Sequence, residues 1–315
     1  MKSFPLAMQA LALLGCLAPI ALATSAAEAA PEPLRFVLIP KVTHPWFEAV
    51  REGAEAAARM IEQQTDTTAV IEYRPPARAE AGLQASILQA AIHSKPSGIT
   101  IDLLDADRLS SLLKQAQLQG IPVTVFDSEL PADLGITSIG NDFCVQASIA
   151  AERLVKLLGG QGEVAIMQGV PTAPNHAIRV ECHRKVFARH PGITVVASPI
   201  DGDNIATAEQ MATATMRRHP RLKGWVVSDA GGGIGIGRAI QALGKTGEVR
   251  VVGLDDLPEL VQLIRSGVVD STAATKPRSQ GYWSVLSLWQ QGLGAPPIQR
   301  IDTGIAVQGS ATNHP

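Results

Sequence analysis

The chain has 315 residues, 46% of them hydrophobic, with 27 Lys and Arg against 29 Asp and Glu for a net charge of -2. That length suits about two domains, and the near-neutral balance excludes the basic footprint of a nucleic-acid-binding protein. No charge block, low-complexity tract or solenoid-spaced repeat occurs.

Residues 1–30 read as a signal peptide. Met1-Lys2 supplies a positive start, Phe4 to Ala23 is apolar, and Thr24 to Ala30 offers the small residues a signal peptidase reads. Cleavage is expected after Ala27 or Ala30, with export to the periplasm. Gly15 and Pro19 interrupt the apolar run, which disfavours a spanning anchor. Leu13-Leu14-Gly15-Cys16 resembles a lipoprotein box, but Leu17 to Leu22 stays apolar where a tether would be polar, so a soluble form is expected. No later segment reaches the ~20 apolar residues a membrane span needs.

From Leu34 onward, strand and helix signals alternate. Strand-like runs fall at Leu34–Pro40, Ala69–Tyr73, Gly98–Asp102, Ile121–Phe126, Gly162–Gln168, Ile193–Ser198, Gly224–Ser228, Val249–Leu254 and Val268–Ala274. Helical spacing fills the gaps, as in Val50, Ala54, Ala57 and Ile61. This alternation predicts parallel sheets with helices on both faces. The expected fold is α/β, with two doubly wound lobes joined by a hinge. The first lobe takes 31–139 plus 276–302, and the second takes 140–275 plus 303–315. A tail helix, Gln280–Gln291, and one last strand, Ile298–Val307, are expected to return and complete the lobes.

Ligands of open α/β sheets bind at the carboxyl ends of strands. The first strand ends in a turn carrying Lys41, His44, Trp46 and Phe47, where two aromatics beside a cation suit a sugar ring. Four further strand ends are acidic: Asp102, Asp127, Asp229 and Asp255. Carboxylates there accept charge-assisted hydrogen bonds from hydroxyl pairs. Each taken singly also suits a helix amino-cap, a role Asp often fills. After Gly162–Gln168, Asn175 and Arg179 lie four apart on one helix face, the spacing at which side chains are neighbours.

Gly231 to Gly237 is glycine-rich but fits neither the dinucleotide nor the phosphate-loop pattern. It is expected as a flexible helix entry. No cofactor motif, zinc spacing, G-x-S-x-G elbow or H-E-x-x-H is present. Asp102 and Asp127 as a glycosidase pair form the enzyme alternative. Cys144 and Cys182 are expected as two buried thiols, with one disulfide as the alternative.

At this point the chain resembles the ribose-type periplasmic substrate-binding proteins of ABC sugar importers. Ile39-Pro40-Lys41 with Pro45-Trp46-Phe47 resembles the aromatic turn. Gly120 to Glu129 resembles the "G-I-P-V-x-x-F-D-S" segment, Ile139 to Asp142 the first interlobe crossing, and Val252 to Asp255 the "V-G-F-D" strand end. The resemblance implies that Trp46 and Phe47 stack on a ligand and that Asp102, Asp127, Arg179, Asp229 and Asp255 bond its hydroxyls. It also places Ser128 in the site and Thr275 at the second crossing. The opening and the "F-D-S" ending are similar to the autoinducer-2 and rhamnose receptor branch, in which Lys41 would reach the ligand. The family commonly has Asn at the positions of Asp102 and Asp229, Arg at Ser128, Gln at Thr275 and an aromatic near Gly202. The pocket is thus more acidic than a ribose site. The expected protein is monomeric, with no catalytic turnover. It captures a sugar or polyol for a membrane permease, or alternatively reports it to a chemoreceptor or kinase.

Overall fold

The computed structural model describes residues 1, 32–130 and 134–309. The expected signal peptide therefore lies outside the described residues, apart from Met1. No helix among the described residues is long and apolar enough to cross a membrane.

The first sheet gathers β1 (Leu34–Ile39), β2 (Ala69–Tyr73), β3 (Gly98–Ile101), β4 (Val123–Phe126), β5 (Thr137–Gly140) and β11 (Arg300–Asp302) in the order β11-β5-β4-β3-β1-β2. All of its pairings are parallel. Its strands are connected through α1 (Pro45–Thr65), α2 (Ala81–His93) and α3 (Ala106–Leu118), and α9 (Pro277–Gly292) returns to pack on it. The second sheet holds β6 (Gln161–Met167), β7 (Gly192–Ala197), β8 (Leu222–Val227), β9 (Arg250–Leu254), β10 (Ser271–Ala274) and β12 (Ala306–Gly309) in the order β12-β10-β9-β8-β6-β7. It is parallel except at β12, which runs antiparallel to β10. Helices α4 (Phe143–Leu157), α5 (Pro174–Ala188), α6 (Ile205–Arg218), α7 (Gly232–Ala242) and α8 (Pro258–Arg265) accompany it. The two α/β lobes of the sequence reading are thus present.

Strands β3, β4 and the inner parts of β8 and β9 are buried along their length, as doubly covered parallel strands require. Val37, Ile39, Ile99 and Ile101 face the α2–α3 side of the first sheet, while Phe36 and Leu38 face α1.

Two expectations change. β5 has no apolar run to announce it; it is four residues that gain their place by pairing with β4 and β11. The single last strand is instead two, β11 and β12, one in each sheet. Gly304, in the left-handed region at φ 78°, lies in the turn between them. Three segments therefore pass between the lobes: Gly140 to Phe143, Ala274 to Pro277, and Asp302 to Ala306.

The glycine run is also corrected. From Gly232 it is the body of α7, not a flexible entry. A Cβ at Gly235 would stand 2.5 Å from the Ala208 Cβ and 2.6 Å from the Glu209 nitrogen on α6. The glycines let two helices approach backbone to backbone.

The cysteine expectation is overturned. Cys144 and Cys182 form a disulfide, with Cα atoms 5.3 Å apart. They sit on α4 and α5, which pack against each other, so the pairing is set by a helix contact that the 38-residue sequence separation conceals.

Candidate ligand-binding site

The carboxyl ends of both sheets converge on one narrow cavity between the lobes. It is lined by Lys41, His44, Trp46 and Phe47 from the first turn, by Asp127, and by His176, Arg179, Asp203, Asp229 and Asp255 from the second lobe. Each of these side chains is more than nine-tenths buried.

The first turn is built for this position. Pro45 opens α1, and the His44 ring nitrogen Nδ1 accepts the Trp46 backbone N–H at 3.2 Å, closing the amino end of the helix. Trp46 and Phe47 meet edge to face at 5.0 Å, and Phe47 meets Phe126 at 6.4 Å. The Lys41 ammonium lies 5.6 Å from the Phe47 ring centre.

Asp127, Asp203 and Asp255 all have left-handed backbones, with φ of 43°, 61° and 64°. That region is disfavoured for side-chain-bearing residues and best tolerated by Asp and Asn. Three such residues around one cavity, Asp127 from the first lobe and Asp203 and Asp255 from the second, mark a place where chain direction is subordinate to side-chain placement.

A charged network fills one end. Lys41 Nζ pairs with Asp102, lies 3.9 Å from Asp127, and donates to Asn175 Oδ1 at 3.5 Å. Ser128 donates to Asp102 Oδ1 at 2.7 Å and accepts from the Leu103 N–H at 2.9 Å. Asn175 donates to Asp127 Oδ2, and Arg179 Nη2 reaches Asp127 Oδ1 at 3.4 Å. The Arg179 guanidinium stacks over Phe143 at 4.8 Å and donates to Gln146 Oε1 and the Ser228 carbonyl at 3.0 and 3.2 Å. Asp127 and Lys41 belong to the first lobe and Arg179 and Asn175 to the second, so these bonds cross the cleft. A surface salt bridge for Arg179 is ruled out: its side chain is buried and its carboxylate partner is Asp127.

At the far side, Trp46 Nε1 donates to Thr275 Oγ1 at 2.9 Å, and the Thr275 hydroxyl and backbone N–H both donate to Asp255 Oδ1. Asp229 Oδ2 accepts the N–H groups of Gly231 and Gly232 at 3.0 and 2.8 Å, so this aspartate also closes the amino end of α7. Asp102, Ser128, Asn175 and Thr275 stand directly behind the cavity wall, holding the residues that line it.

The electrostatics follow from burial. Desolvation pushes the Asp102 carboxyl up to about 7 against the pull of Lys41, and Asp229 up to about 7 with help from the charge of Asp203. Asp255 is raised to about 6, again by desolvation. Asp201, behind Asp229, is raised to about 10 by burial and then by Asp229 itself. His176 is pushed well below its ordinary value by burial and by Lys41 and Arg179. Its Nδ1 accepts the Val170 N–H at 2.8 Å, so the neutral ring carries its proton on Nε2.

The sequence reading missed His176, Asp203 and Asp201. Asp201-Gly202-Asp203 follows the run Ile193–Ser198, and the strand-end rule that singled out the other aspartates applies to it equally. His176 lay inside the segment already marked by Asn175 and Arg179. Gly169 makes room for its ring, because a Cβ there would overlap Nδ1. Among the described residues no cluster of His, Cys, Asp and Glu is arranged to hold a metal ion.

Two α/β lobes closing on a polar cavity rimmed by aromatics define a two-lobed small-molecule-binding protein. The chain belongs to the periplasmic binding protein domain family, whose model matches residues 36–295. It is similar to the D-allose-binding periplasmic protein of Escherichia coli K12, at 26% identity over 85% of this chain and 86% of that protein. Among solved structures it resembles an ABC transporter solute-binding protein of Burkholderia graminis in complex with D-arabinose. That match has a TM-score of 0.82 and 28% identity, over 90% of this chain and 96% of the other. It also resembles one from Agrobacterium vitis bound to α-D-tagatopyranose, with a TM-score of 0.82 and 27% identity, over 89% and 95% of the two chains.

Proposed function

We propose that this chain captures a monosaccharide or polyol in the interlobe cleft and delivers it to the membrane permease of an ABC importer. The observation that carries this reading is the convergence of Asp127, Arg179, Asp229, Asp255 and the Trp46–Phe47 pair, from opposite lobes, on one buried cavity. Carboxylates and a guanidinium offer acceptors and donors to ring hydroxyls, and the aromatic edges cover an apolar ring face. Kinship with proteins named for allose and solved with arabinose or tagatose supports a sugar. The role is capture without turnover.

In this reading residues 1–30 direct export and are removed, and the three interlobe segments act as the hinge between lobes of 31–139 plus 276–302 and 140–275 plus 303–315. Ligand bonded to both lobes shifts the protein toward its closed form, which then docks on the permease. A thermal-shift screen of refolded mature protein against pentoses, hexoses, polyols and amino sugars tests the reading. A ligand at a hundredfold excess over its Kd raises apparent stability by about 2.7 kcal/mol. No shift with any member would overturn it.

A further inference from the structure

The cavity is unevenly charged, and the imbalance has a location. Its cations, Lys41 and Arg179, both lean to the end holding Asp102 and Asp127. Asp255 is held by Thr275. Asp203 and Asp229 line the other end, and among the described residues neither makes an ion pair. Asp229, only 1% exposed, shares a side-chain hydrogen bond with the raised carboxyl of Asp201, so three buried acids, Asp201, Asp203 and Asp229, stand together at this end.

His44 supplies an independent observation from the opposite lobe. Its Nδ1 is used by the Trp46 N–H, so its proton sits on Nε2, and that atom is buried without a partner. It stands against the same corner, where a Cβ on Gly231 would lie 3.4 Å from His44 Nε2 and 3.5 Å from Asp229 Oδ2. One wall therefore offers a group of buried acids with no ion-paired cation, and the facing wall offers one neutral donor.

We propose that the ligand of this cleft carries an ammonium group next to a hydroxyl, the ammonium seated against Asp203 and Asp229 and the hydroxyl oxygen accepting from His44, as an amino sugar or aminated polyol would present them. A neutral hydroxyl at the ammonium position would leave this acidic group without a paired positive charge. Burial and then the charge of Asp203 raise Asp229 against the more distant pull of Arg179, and Asp201 behind it brings a hydrogen bond but no positive charge. This inference rests on the cleft being the sugar- or polyol-binding site.

Calorimetry on the refolded protein tests it with matched sets: D-glucosamine, D-galactosamine, D-mannosamine and 1-amino-1-deoxy-D-sorbitol, each beside its hydroxyl parent and its N-acetyl derivative. The expected result is at least one amine binding about tenfold or more tighter than both of its neutral counterparts. Asp203→Asn and Asp229→Asn should each shrink that ratio to about twofold or less, a readout that a general loss of folding does not mimic. Parents binding as tightly as their amines would overturn the proposal while leaving the sugar-binding reading intact. No binding by any member would overturn the proposal, and it would overturn the sugar-binding reading too if the pentoses, hexoses and polyols of the thermal-shift screen also fail.

Discussion

Asp127 answers to both lobes at once: Lys41 approaches it within its own lobe, and Asn175 and Arg179 reach it from the other. Its left-handed backbone separates two contributions that one substitution would confuse. Asp127→Asn keeps a residue tolerant of that conformation and removes only the charge. It should weaken ligand binding by about tenfold or more and lower the melting temperature, because the buried Arg179 loses its carboxylate partner, but by less than Asp127→Ala, read by calorimetry alongside thermal unfolding. Asp127→Ala should lose affinity and, in addition, about 1–2 kcal/mol of stability from the disfavoured φ. A second prediction concerns pH. The folded-state values of Asp229 and Asp102 are raised, so the stability they contribute is full below the unfolded value near 3.8 and is lost as pH rises through about 7. His44, His176 and His183 are lowered and act with the opposite sign, their contribution present above about 6.5 and lost as pH falls. Because the two groups oppose each other, the difference between variants is the useful quantity. Asp229→Asn should gain stability relative to the parent protein steadily from pH 4 to pH 7 and change little above that. A flat difference in denaturant midpoints across that range would contradict the burial argument.

Helix packing depends on residues that carry no chemistry. Gly53 on α1 and Gly281 on α9 lie where a Cβ would overlap backbone of the opposing helix, at Arg278 and Val50 respectively. Gly235→Ala and Gly281→Ala should each destabilise the fold by about 1–3 kcal/mol, the usual cost of overpacking, measured by urea unfolding. The disulfide does comparable work between α4 and α5. Cys182 lies one turn beyond Arg179, and Cys144 lies between Phe143, on which Arg179 stacks, and Gln146, to which it donates. Replacing both cysteines with serine should cost about 4 kcal/mol for the 38-residue separation and weaken binding as Arg179 loses its fixed support. Unchanged affinity in that variant would limit the disulfide to stability alone.

Over the whole molecule, the three short passages between lobes make closure the natural motion. The expected consequence is a measurable contraction on adding ligand. Small-angle scattering should show a smaller radius of gyration with ligand than in the refolded, ligand-stripped protein. Equal radii would argue that the lobes close without help.

The two-lobed α/β architecture was legible in the chain because buried parallel strands are uninterrupted apolar runs and their helices repeat apolar residues at three and four. Asp102, Asp127, Asp229 and Asp255 could be singled out for the same local reason, that each stands directly after such a run. What local pattern could not decide is anything settled by partners distant in sequence. β5 is a strand because β4 and β11 flank it, and the tail divides because each lobe has an edge to complete. Cys144 and Cys182 meet because two helices pack. Sequence periodicity reports which face of an element is buried, whereas the division of the aspartates into an end with ion-paired cations and an end without them depends on which side chains from the opposite lobe arrive beside them. That is a property of the closed tertiary structure alone.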